Sequence, residues 1–118
     1  MKLAAPLGLA LALVGSQPAF AHAKLISAEP AINGVAKAAP QSLALTFNDP
    51  ISGKLSGVTI KGADAKPIVA NAMVAKSGKG LMVVLKAPLK PGAYTVDWHV
   101  VASDDGHKTS GTYKFTVK

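Results

Sequence analysis

Pro91-Gly92-Ala93-Tyr94-Thr95-Val96-Asp97-Trp98-His99-Val100 decides the fold. In an extended chain Tyr94, Val96, Trp98 and Val100 fall on one side, and Thr95, Asp97 and His99 on the other. Strict alternation of this kind marks a strand with one buried face. The pattern returns in Tyr113, Phe115 and Val117, and earlier in Leu43, Leu45 and Phe47 and in Leu81, Val83 and Leu85. Shorter strands are expected at residues 23–28, at Val58 and Ile60, and at residues 67–74, a weak run that suits an edge because it contains Pro67. Asn33-Gly34, Lys61-Gly62-Ala63-Asp64, Ser77-Gly78-Lys79-Gly80 and Pro91-Gly92 punctuate the runs as turns, and residues 51–57 form a polar connection. No amphipathic helical pattern is present after residue 22. About seven short strands with closely spaced turns predict an all-β sandwich or small barrel. Tyr94, after a glycine turn at the start of the penultimate strand, has the placement of a tyrosine corner. Trp98 is the expected centre of the core. Met73 and Met82 are expected to fill gaps in it.

The first 21 residues have a different character. Met1-Lys2 is a short positive start, residues 3–14 are apolar apart from Pro6 and Gly8, and Ala19-Phe20-Ala21 has the small-x-small form of a signal-peptidase site. The apolar run is shorter than the roughly 20 residues needed to span a bilayer. Residues 1–21 are therefore expected to be a secretory signal. Residues 22–118 are then expected to form the mature, exported domain with His22 at its N-terminus. Removing 21 of 118 residues leaves 97, enough for one small domain.

There is no cysteine, so no disulfide and no thiolate ligand is available. The formal charge is +7, or +6 once Lys2 is removed. The lysines are scattered and there is no arginine, which argues against nucleic acid as a partner. A solvated basic surface accounts for the balance, together with a weak, non-specific attraction to a membrane surface or an acidic partner.

Between the last two alternating runs lies Ser103-Asp104-Asp105-Gly106-His107. Asp105 and His107 are two apart, so a turn can bring their side chains together, and Gly106 suits such a turn. Carboxylate oxygen and imidazole nitrogen suit a borderline divalent metal. Taken alone, the triplet reads more readily as an ordinary hydrophilic turn than as a ligand pair. His22 changes the weighing, because cleavage gives it a free amine that can chelate together with its own Nδ1. Reference values of about 7.7–8.0 for an α-amine and about 6.5 for an imidazole allow a metal to displace both protons near neutral pH. Nitrogen-rich coordination of this kind favours Cu(II). Asp104 competes with Asp105 for the carboxylate role. His99, about 15 Å along the strand from the loop's midpoint at about 3.3 Å per residue, is expected to be an outward surface side chain.

Together these residues resemble the CopC family of periplasmic copper-resistance proteins. The resemblance is carried by His22 after a signal peptide, Ala28-Glu29-Pro30-Ala31 with Asn33-Gly34, Leu45-Thr46-Phe47, Pro91-Gly92-Ala93-Tyr94-Thr95-Val96-Asp97-Trp98, Val100-Val101-Ala102-Ser103, and Asp105-Gly106-His107 with Gly111. It implies a Greek-key β-sandwich of cupredoxin or immunoglobulin-like shape and one Cu(II) ion held by His22, Asp105 and His107, with Asp49 as an outer ligand. It also implies a protein that buffers copper or hands it to a CopD-like inner-membrane transport protein. The Met-rich Cu(I) loop of some relatives is not matched here: residues 73–82 contain no Met-x-x-Met cluster. A monomer with no small-molecule substrate and no catalytic role is expected, since no nucleophile–base pair is visible. Two other functions share features with this chain: a copper-dependent polysaccharide monooxygenase, which also uses an N-terminal His with a second His, and a metal-free immunoglobulin-like interaction module.

Overall fold

A computed structural model describes residues 23–118. Among the described residues nine strands run in chain order: β1 (Leu25–Glu29), β2 (Val35–Ala36), β3 (Ser42–Phe47), β4 (Gly57–Lys61), β5 (Pro67–Ile68), β6 (Ala70–Val74), β7 (Gly80–Leu85), β8 (Gly92–Val101) and β9 (Lys108–Val117). They form a four-stranded sheet in the order β1-β3-β7-β6 and a five-stranded sheet in the order β2-β9-β8-β4-β5. The architecture is the expected all-β sandwich. Seven of the nine strands have five or more residues; β2 and β5 have two each.

The inner faces are the alternating positions. Leu43, Leu45 and Phe47 on β3 and Leu81, Val83 and Leu85 on β7 meet Val96, Trp98 and Val100 on β8 and Tyr113, Phe115 and Val117 on β9 in one core. Phe47 meets the Trp98 indole edge-on, with ring centroids 5.2 Å apart, which ties the two sheets together. Close packing also explains Gly111. It is paired with Trp98 across the β8–β9 ladder, and the indole lies against its Cα where a side chain would stand. The Tyr94 hydroxyl donates to the Lys90 carbonyl at 2.6 Å and closes the tyrosine corner.

Besides the unanticipated two-residue β2, three details depart from the sequence reading. Residues 67–74 are two strands in different sheets: β5 borders β4, β6 borders β7, and exposed Val69 marks the crossing. Ile51, placed in a polar connection, is buried as part of the core, and its backbone bridges to Ala102. Met73 and Met82 do not plug the core. They are direct cross-strand partners on β6 and β7, on the side opposite Leu81 and Val83, and Met73 is exposed.

Candidate metal centre

The β8–β9 hairpin presents the Asp105–His107 loop. The ladder ends at Val101 paired with Lys108, leaving residues 102–107 as the connection. The loop closes on itself: the Ala102 amide donates to the His107 carbonyl at 2.9 Å, and the Gly106 amide to the Ala102 carbonyl at 3.0 Å. Gly106 has φ +73°, the left-handed conformation for which glycine was expected. The base of the loop is braced from the side, where the Ser103 amide donates to Pro50 and the Ser52 amide to Val101.

Asp105 and His107 converge as their spacing predicts. The Asp105 Oδ1 accepts the His107 backbone N–H at 3.0 Å, and Oδ2 lies 2.9 Å from His107 Nδ1. An ionised carboxylate can only accept, so Nδ1 carries the proton and the lone pair of a neutral imidazole falls on Nε2. The His107 backbone amide, then its side chain, hold the Asp105 carboxyl below its ordinary value. Each Asp105 oxygen keeps a further lone pair. A carboxylate that holds one ring nitrogen of a histidine in this way fixes the orientation of the ring.

His22 lies outside the described residues. Residues 23 and 24, next in the chain, are firmly placed. Ala23 is buried, at 1% exposure, and its carbonyl accepts the Thr109 hydroxyl at 2.8 Å. The Lys24 amide donates to Asn48 Oδ1 at 2.7 Å, and the Asn48 amide returns a bond to the Lys24 carbonyl at 3.1 Å. Residues 23–24, 48–52 and 101–109 thus gather at one end of the sandwich.

Asp49 sits in the middle of this gathering, between Asn48 and Pro50. Its Oδ2 is buried and has no hydrogen-bond partner. Such an atom is costly to leave unpaired, and a cation or its bound water would satisfy it. Among the described residues no three His, Asp or Glu side chains are grouped closely enough to hold a metal, so Asp49 does not share one ligand group with Asp105 and His107. Asp104 is exposed. His99 is exposed as expected, its ring lying over Gly57, and it lines a cleft of about 430 Å³ with Leu55, Lys108 and Ser110. Asn48 and Thr109 were not singled out from the sequence. The one signal for Thr109 was its parity: it shares the inward side of β9 with Tyr113, Phe115 and Val117, where a hydroxyl is unexpected.

The Asp-x-His loop thus lies at the end of the β-sandwich where its first strand begins. The family model described as the CopC domain matches residues 25–118, and the chain belongs to the CopC family. It is 46% identical to protein YobA of Escherichia coli K12 over 103 residues, covering 84% of this chain and 81% of that protein. It is 34% identical to copper resistance protein C of Escherichia coli over 108 residues, covering 85% and 84%. The crystal structure of PcoC, a methionine-rich copper resistance protein from Escherichia coli, superposes with a TM-score of 0.74 at 32% identity, covering 83% of this chain and 100% of that one.

Proposed function

We propose that the chain, once residues 1–21 are removed, is a periplasmic Cu(II)-binding protein of copper resistance that buffers copper or hands it on. Membership of the CopC family supports the copper cargo. The observation that carries the site is the bond between the Thr109 hydroxyl and the Ala23 carbonyl, because Thr109 is two residues beyond His107. Adjacent Cα atoms are about 3.8 Å apart, so a terminal His22 would begin one residue from a point fixed beside the loop.

The donor set then has defined roles. The His22 amine and Nδ1 would chelate, His107 would offer Nε2, and Asp105 would both orient His107 and supply a carboxylate oxygen. Three nitrogens and one oxygen suit Cu(II). Asp49, with its unpartnered Oδ2, would act from outside this group through a bound water. The holder is a monomer, and a CopD-like inner-membrane protein is the recipient. Equilibrium dialysis of the processed protein against Cu(II) tests the assignment. One ion per chain is expected, with affinity falling more than about tenfold in His22→Ala and in His107→Ala, a loss of about 1.4 kcal/mol or more. Unchanged binding in either variant would remove that residue from the site.

A further inference from the structure

We propose that Thr109, with Asn48, is a positioning clamp for the processed N-terminus, so that metal affinity depends on a hydroxyl that does not itself touch the metal. The proposal rests on the Cu(II) reading above. Chain ends ordinarily fray unless tied down. Here three hydrogen bonds tie residues 23 and 24 to β9 and to Asn48 just past the end of β3, across sequence separations of 24 and 86 residues. The Lys24–Asn48 pair of bonds lies beyond the last β1–β3 ladder partners, Leu25 and Phe47. Burial of Ala23 fixes the segment along its length as well as sideways.

Residue choice at 109 supports a specific role. Tyr113, Phe115 and Val117 share its parity and are buried, and its ladder partner is Val100, which is fully buried. The period-2 pattern therefore calls for an apolar residue there. A threonine instead places a donor against the Ala23 carbonyl, one peptide from the proposed chelating terminus. Holding that terminus beforehand removes ordering entropy that metal binding would otherwise have to overcome.

The test uses protein processed by export, with Thr109→Val, Thr109→Ser and Asn48→Ala. Cu(II) affinity by competition titration is measured together with the Cu(II) EPR spectrum and metal-free thermal unfolding. Loss of one net hydrogen bond predicts roughly five- to tenfold weaker binding in Thr109→Val with an altered spectrum. Thr109→Ser is expected to stay within about twofold of the parent, and Asn48→Ala to shift in the same direction as Thr109→Val. Parental affinity in Thr109→Val overturns the clamp, as does an equal loss in Thr109→Ser. A loss matched by lower metal-free stability with an unchanged spectrum at saturation also overturns it, in favour of a merely structural bond. Failure of the unsubstituted chain to bind Cu(II) sinks the proposed function; binding by that chain with an unaffected Thr109→Val sinks the clamp alone.

Discussion

Gly111→Ala probes the packing beneath the hairpin that carries Asp105 and His107. A methyl carbon on Gly111 would lie 2.6 Å from Trp98 Cζ2, 2.9 Å from Cε2 and 3.1 Å from Nε1, where ordinary contact begins at 3.4 Å. The indole is not free to yield, because its other side meets Phe47 in the core. Overpacking of this kind costs about 1–3 kcal/mol. Replacing a strand glycine returns about 0.5–1 kcal/mol of backbone entropy. The net loss lies within about 0–2.5 kcal/mol and is centred near 1 kcal/mol, a fall of about 4–8 °C in Tm for a domain of this size. Urea denaturation tracked by Trp98 fluorescence reads it directly. Gly57→Ala is the control: its methyl carbon would come 2.8 Å from His99 Cε1, but that ring is exposed and can swing into solvent. Gly111→Ala as stable as the parent, or less damaging than Gly57→Ala, would refute the close packing of Trp98 on β9.

Tyr113→Phe is expected to stabilise the domain by about 1 kcal/mol, because the hydroxyl it removes is buried without a partner; urea denaturation checks this. The same burial pushes the Tyr113 pKa up to about 12, so its phenolate absorbance should appear only in strong alkali. Asp105 is held below its ordinary value in the fold, so its contribution to stability is present above the unfolded carboxyl pKa and is lost as pH falls through the folded one. In the metal-free protein the stability gap between parent and Asp105→Asn should therefore be open at pH 6 and close below about pH 4. A gap that widens on acidification would contradict the direction. Cu(II) should leave as pH falls toward about 5, because amine and imidazole donors bind only when deprotonated. Full occupancy at pH 4 would exclude that donor set.

The strands that were legible in the sequence are those whose burial alternates. β3, β7, β8 and β9 could be read from Leu43 to Val117 because each has one face in the core and one in solvent. The split of residues 67–74 was not legible, since propensity marks extended chain and does not say which sheet it joins. The two-residue β2 was missed because it pairs in parallel with Thr116 and Val117, far along the chain. In the site, Asp105 and His107 were readable because their contact is local, fixed by a turn with glycine between them. Asn48 and Thr109 were not, because what makes them matter is a hydrogen bond to residues 24 and 86 positions away. Parity alone could have marked Thr109 as a polar residue on an inward face.

The processed terminus is the part of the account that everything else at the site depends on. Cu(II) affinity and EPR should be compared for protein beginning at His22 and for the same protein with one residue left in front of it. The terminal amine is then the only donor that changes position. The account predicts more than about tenfold weaker binding in the extended form and a spectrum with fewer nitrogen donors. Equal affinity with identical spectra would contradict it.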